Sequence, residues 1–326
     1  MQFNFVALLA LHAACGWLFC QGLRRLGLDR GVAFLAGALY LLAPTTHFAL
    51  FSNFTNPFFT LPVFWILLML WLFAGGRSTA AVCLCAVAGL FSGEQPFLLL
   101  CGLLPLAAWC FRVRGWLRPI AWTWVTLAAA GVSYLLWLNR APVVQTGFQA
   151  RYQWSWTQLG RNLELLWREI SRLIEFRSDG PDWLLALAAA ALIGALTWRW
   201  EGGVNRRLWI FAVAGLLLAY GPVLAVGGDY SRFRYHYVPS LFWGLLLAAV
   251  CASLPRPGRS LLAAAAAAFF TLNAAGEIRQ CWIPMSKHHR ALEARLRQLE
   301  NVAPGDILII SGAPYEIGTA QHPSMH

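Results

Sequence analysis

Apolar runs of roughly 15–23 residues alternate with short polar islands, at about 3–23, 31–51, 57–75, 78–92, 96–111, 119–139, 183–200, 207–226, 237–253 and 259–275. Runs of that length suit helices crossing a hydrocarbon core about 30 Å thick. The pattern predicts an all-α polytopic membrane protein of about ten transmembrane helices. The pair 78–92 and 96–111 is short. Fused into one helix it would reach about 50 Å at 1.5 Å per residue, far beyond the core. Two spans, turning at Ser92-Gly93-Glu94-Gln95-Pro96, are therefore expected.

Two segments break the pattern. In 140–182, Leu159, Leu163, Leu166, Ile170 and Leu173 recur at helical spacing, opposite Arg161, Glu164, Arg168, Glu169 and Arg172. This predicts an amphipathic helix, opened by a Ser155-Trp156-Thr157-Gln158 capping box, that lies in a membrane interface or covers a cavity. After the last run, Ser286–Glu300 reads as a helix and Ile307-Leu308-Ile309-Ile310 as a buried strand. The expected organisation is six spans over 1–139, the loop 140–182, four spans over 183–275, and an incomplete α/β tail over 276–326.

Charge then orients the helices. The odd-numbered connections hold Arg24, Arg25, Arg30, Arg77, Arg112, Arg114, Arg118, Arg199, Arg206, Arg207, Arg256 and Arg259 against Asp29 and Glu201 alone. The even connections and tail carry the remaining basic and acidic residues in near balance. Basic loops stay cytoplasmic, so the odd side is assigned to the cytosol of a cell membrane, a bacterial inner membrane in the simplest case, and the tail to the other face. Met1 then lies outside. No basic residue precedes the first run, so a preceding span absent from this sequence is expected.

Composition agrees. Hydrophobic residues make up 59% and charged residues 12%, about half the charge of soluble domains. The net charge of +11 sits in short loops rather than along a continuous stripe, which argues against nucleic acid as a partner. Cys15, Cys20, Cys83, Cys85, Cys101, Cys110 and Cys251 lie in apolar runs, where a thiol packs as a small hydrophobe. No disulfide framework and no metal-ligand spacing follows from them, and the need for a divalent metal stays open.

The densest polar cluster is Gly227 to Ser240, with Asp229, Arg232, Arg234, Tyr235 and Tyr237. Guanidinium forks match phosphate oxygens and tyrosine hydroxyls add donors, which suits a lipid-phosphate ligand at the extracytoplasmic interface. An aromatic belt with arginines on general headgroups fits the residue types equally well. Among short outer loops only Glu94 and Asp229 carry carboxylates, and Asp229 has Arg232 within pairing reach. His12 is expected to serve as a helix-packing contact.

The stretch Arg234-Tyr235-His236-Tyr237-Val238-Pro239-Ser240 resembles the Arg-x-x-Tyr-Leu-Pro-Ser segment of GT-C membrane glycosyltransferases, nearest to the O-mannosyltransferases with tetratricopeptide repeats and their bacterial relatives. Leu90-Phe91-Ser92-Gly93-Glu94-Gln95 resembles that group's Lys-Glu-Gln turn, with Gly93 in the lysine position. Leu23 to Leu28 with Pro44, and Gly312 to Gly318, are similar to further family segments. The resemblance implies sugar transfer from a polyprenyl-phosphate donor to a glycan, lipid or protein acceptor on the outer face. Arg234 would hold the donor phosphate, and Glu94 would stand on the acceptor side. Phe48 occupies a position often acidic in eukaryotic relatives, and the family's first span with its acidic loop is missing. A truncated or inactive copy is therefore one form of this reading. A polysaccharide polymerase or ligase and a non-enzymatic transporter or structural subunit are the alternatives. The 140–182 loop lacks the histidine that the former would favour, and the spans lack the charges and inverted repeats of a transporter.

Overall fold

The computed structural model describes residues 2–43, 60–92, 97–139, 156–174, 183–198, 206–225 and 237–277, with 279, 283, 287, 290, 291, 294, 316–317 and 320–321. The described residues are α-helical apart from one short hairpin. The helices are α1 (Gln2–Arg25), α2 (Arg30–Leu42), α3 (Thr60–Ala74), α4 (Thr79–Ser92), α5 (Phe97–Phe111), α6 (Leu117–Asn139), α7 (Trp156–Ile174), α8 (Trp183–Trp198), α9 (Arg206–Ala225), α10 (Pro239–Ser253) and α11 (Arg256–Glu277). In the tail, β1 (Glu316–Ile317) pairs antiparallel with β2 (Ala320–Gln321). The expected strand at 307–310 lies outside the described residues; Lys287, Arg290, Ala291 and Ala294 are helical, as the 286–300 reading requires.

Each of the ten apolar runs holds one helix, and α4 and α5 are separate, as their combined length demanded. Every charged residue of these ten helices falls in a first or last turn. α3, α4, α5, α8 and α10 carry none at all. Only α7 carries charges along its length, with Arg161 and Glu164 in its middle.

Lengths depart from expectation. Among the described residues one helix, over Val6–Arg25, is long and apolar enough by itself to cross a membrane, with mean hydropathy 1.7; six others are apolar but only 10–17 residues long. Fifteen helical residues rise about 22 Å. The shortfall is largest at α2, which stops at Leu42 where the apolar run reaches 51. Residues 44–59 lie outside the description.

Helix α2 is the packing centre, lying against α1, α8, α10 and α11. Small residues let it approach them closely. A Cβ on Gly37 would stand 3.0 Å from the Gly16 carbonyl oxygen of α1, and one on Gly244 of α10 would stand 2.9 Å from the Ala36 carbonyl oxygen. Around this centre α1 packs on α3, α3 on α4, α4 on α6, α5 on α9, α9 on α10, and α8 on α11 in the largest interface of all.

These contacts place the polar turns. Arg25 reaches across to α3, its guanidinium 3.7 Å from the centre of the Trp71 ring and its Nη1 donating to the Trp71 carbonyl at 3.1 Å. That brings the α1–α2 and α3–α4 turns together. Cys83 meets Thr123 and Phe91 meets Tyr134, so α4 and α6 run parallel from the same end. Trp109, Arg112, Arg114, Arg206 and Arg207 line one cleft, which joins the α5–α6 turn to the start of α9. Gly194 packs against Ala264 and Ser260, setting α8 antiparallel to α11. Gly244 beside Ala36 and Tyr237 beside Tyr40 set α10 antiparallel to α2. All five arginine-bearing turns therefore share one end of the bundle.

Gly244→Leu should lower the stability of the purified full chain by about 1–3 kcal/mol, because backbone carbonyls cannot move aside for the new side chain. Gly131→Ala, where a Cβ meets nothing within 4 Å, should be neutral or stabilising by up to about 1 kcal/mol. Thermal unfolding of both variants checks the contrast.

Candidate functional site

At the end opposite the arginines, Tyr237, Val238, Pro239 and Ser240 enter α10. Proline takes the first helical position, where its missing N–H costs nothing. The Ser240 hydroxyl donates back to the Tyr237 carbonyl, closing the turn. Tyr237 and Val238 are both buried, so this corner is pinned by packing as well as by hydrogen bonds.

The Tyr237 side chain points into the bundle. Its hydroxyl lies 2.9 Å from Nδ1 of His12 on α1, and Nε2 of the same imidazole lies 3.5 Å from the Leu41 carbonyl. A carbonyl only accepts, so Nε2 carries the proton and Nδ1 accepts from the tyrosine. Tyr40 stands between them, with ring centroids 5.1 Å from His12 and 5.9 Å from Tyr237. The Tyr40 hydroxyl is fully buried beside Tyr237 and Cys15, and no group among the described residues meets it at full hydrogen-bond geometry. Cys15 on α1 lies below it and contacts the carbonyl of Thr60, the first residue of α3. Three aromatic or imidazole rings, a thiol and a threonine thus tie α1, α2, α3 and α10 together in an otherwise apolar interior.

Of the residues expected to carry chemistry, Glu94, Asp229, Arg232, Arg234 and Tyr235 lie outside the described residues. Tyr237 lies inside, and its hydroxyl faces His12. The sequence offers Tyr237 as a donor-phosphate contact; in the structure its side chain is buried with the hydroxyl beside His12. His12 packs between helices as expected, but within a polar network that the apolar run around it does not announce. Tyr40 was missed altogether, since one tyrosine in an apolar helix carries no periodic signal. Among the described residues no group of three or more His, Cys, Asp or Glu side chains stands ready to hold a metal ion.

Helix α7 docks at this same end. Asn162 is buried and donates to the Leu224 carbonyl in the last turn of α9 at 3.0 Å, while Gln158 donates to Asn162 Oδ1 at 3.0 Å. A helix's last carbonyls lack intrahelical partners, and Asn162 supplies one. The docked face is therefore Gln158, Leu159, Asn162 and Leu166. Leu163, also on the expected apolar stripe, is exposed, as are Trp156 and Trp167. Ser155, which opens the expected capping box, lies outside the described residues.

Neither a protein-family model, nor a curated protein, nor a solved structure matches this chain.

Tyr237→Phe should cost about 1–3 kcal/mol by taking the donor from a buried imidazole nitrogen. The double variant with His12→Phe should lose less than the two single losses added together. Tyr40→Phe should cost less than Tyr237→Phe or stabilise, since the buried hydroxyl it deletes meets no group at full hydrogen-bond geometry. Chemical unfolding of the four variants reads all three signs.

Proposed function

We propose that this chain is a polytopic membrane protein that transfers a sugar from a polyprenyl-phosphate donor on the extracytoplasmic face. The arginine-bearing end faces the cytosol, and the 226–236 segment and the tail lie across the membrane. One observation carries the membrane part: ten helices confine their charges to end turns, and eight of them present large apolar side chains outward. Helix α8 is the clearest case. Ala186 and Ile193 are buried, yet Leu184, Leu185, Leu187 and Leu192 are all more than half exposed. In water such an exterior is a contiguous apolar patch that monomeric soluble proteins avoid; in lipid it is the solvent-matched face. Arginines gathered at one end supply the orienting charge.

The chemistry is supported by what lies where. Arg232, Arg234 and Tyr235 immediately precede in sequence the buried corner at Tyr237. Preorganised cations are what a departing phosphate needs, because they stabilise its developing charge without reorganising. Transfer requires a carboxylate to take the acceptor hydroxyl proton as that oxygen attacks the anomeric carbon and the polyprenyl phosphate leaves. Glu94 and Asp229 are the candidates. Ser92 and Phe97, which flank Glu94, end α4 and begin α5 at this same end of the bundle.

Arg234→Ala should lower glycan output in the host by about a hundredfold, with the protein still present in membranes. Glu94→Ala should reduce it as well. Unchanged output in both variants, with output lost on deletion of the whole chain, would favour a non-enzymatic subunit.

A further inference from the structure

Helices α1 and α2 meet through their smallest residues. A Cβ on Gly37 would come within 3.0 Å of the Gly16 carbonyl oxygen and 3.4 Å of the Cys20 side chain. From His12 to Gly16 along α1, the neighbour on α2 steps back from Leu41 to Gly37, so the two helices are antiparallel. Where backbones touch this closely, larger side chains on either side stand up and leave a trough between them. That trough is a cleft of about 540 Å³, floored by Gly16 and Gly37, walled by Trp17 and Phe34, and ended by Arg24 and Arg30. Trp17 and Phe34 are 57% and 41% exposed, so the cleft opens outward from the bundle.

Its dimensions decide what it can hold. The lining runs from Arg24 back to Ala13 on α1 and from Arg30 on to Leu41 on α2, a rise of about 16 Å on each helix. One leaflet of a hydrocarbon core is about 15 Å deep, half of the whole. The cleft thus starts at the arginine-bearing end and stops near mid-membrane, level with His12. Spread over that length, 540 Å³ gives a section of roughly 34 Å². A helix with its side chains is about 10–12 Å across and needs about 95 Å². A single hydrocarbon chain fits; a helix does not.

The chemistry changes along the cleft in the same way. Toward mid-membrane its lining is glycine, alanine, leucine, cysteine and aromatic rings. At the mouth Arg24 Nη1 donates to Gln21 Oε1 at 3.3 Å, and Arg30 opens α2 on the other wall. No carboxylate lines the cleft. Asp29, in the turn between the two arginines, caps α2 with its Oδ1 accepting from the Gly31 N–H at 2.8 Å. From this arrangement we infer that the cleft holds one acyl chain of an anionic phospholipid of the cytoplasmic leaflet, with the headgroup phosphate between Arg24 and Arg30. Guanidinium forks match phosphate oxygens two at a time, and basic pockets between helices on the cytoplasmic side favour such headgroups. A choline headgroup would bring a further cation to the two arginines and be disfavoured. The inference rests on the membrane reading and is independent of sugar transfer.

The test is native mass spectrometry of the full chain in neutral detergent, with phosphatidylglycerol or phosphatidylcholine added in turn. Wild type should retain phosphatidylglycerol over phosphatidylcholine, and Arg24→Gln with Arg30→Gln should cut that retention roughly tenfold or more. Each single arginine substitution should show part of the loss. Ala38→Phe, which fills the cleft without changing a charge, should abolish retention; Ala13→Phe, at the exposed far end of the cleft, repeats the block if Ala38→Phe does not fold. Arg118→Gln, at the same end of the bundle, and Val125→Phe, on the outward face of α6, lie outside the cleft and should leave retention unchanged. Equal retention in wild type and the filled variants overturns the site, as does an equal loss in Arg118→Gln or Val125→Phe. Equal retention of the two lipids overturns the anionic assignment. A two-chain mass that falls to one chain in the filled variants overturns the lipid in favour of a second copy of this chain. Release of the chain from membranes by alkaline carbonate overturns both this inference and the membrane reading; a chain that stays embedded but retains no lipid overturns the cleft alone.

Discussion

Ten of the helices have nowhere to put a charge except their ends, and that restriction organises everything else in the molecule. Their interiors are filled on one side by packing against α2 and its neighbours, and their outward faces carry leucine and tryptophan rather than lysine and glutamate. Arginines are consequently pressed into turns, where they do structural work. Arg25 caps the carbonyl end of α3 at Trp71 and stacks on its ring. Arg259, itself buried, donates to the Ala252 and Leu254 carbonyls at the end of α10. In both cases a cation meets the negative pole of a helix, the favourable pairing.

The opposite end is built on different principles. There the bundle is held by a polar knot, His12 to Tyr237 with Tyr40 alongside, buried deep enough that each lost hydrogen bond costs more than it would at a surface. The knot joins the first helix to the tenth across most of the sequence and fixes the corner from which the Arg232–Arg234 segment departs. Helix α7 closes on the same end through Asn162 and leaves Trp156, Leu163 and Trp167 outward. Exposed apolar side chains on a helix otherwise rich in charge suit a position in the outer headgroup layer. On the proposed reading, donor lipid and acceptor would meet beneath that helix and above the knot.

Much of this was legible from hydrophobic spacing alone. The ten apolar runs each became a helix, and the length argument that split 78–111 into two was sound because a helix's rise per residue is fixed. Charge parity sorted the arginine turns to a single end for an equally simple reason: each helix reverses the chain's direction. What spacing could not read were features made by two elements at once. Nothing in the run around His12 says that its partner is 225 residues away. Nor does the heptad-like pattern of α7 reveal that an asparagine, rather than Leu163, faces the bundle, because the partner is a carbonyl at the end of α9. Helix ends were also misjudged at α2, where apolar sequence continues past the last helical residue. The resemblance to GT-C glycosyltransferases rests on short motifs whose charged residues Glu94 and Arg234 lie outside the described residues.

The account stands or falls on which ends of the bundle face which side of a membrane. Single cysteines at Gly115, in the arginine-bearing end, and at Gly160, on α7, can be probed in intact cells with a membrane-impermeant thiol reagent, against the parent chain as background. The account predicts that the α7 position reacts from outside and that the arginine-end position reacts only after the membrane is breached. Labelling of both from the same side, or of Gly115→Cys alone from outside, would contradict it.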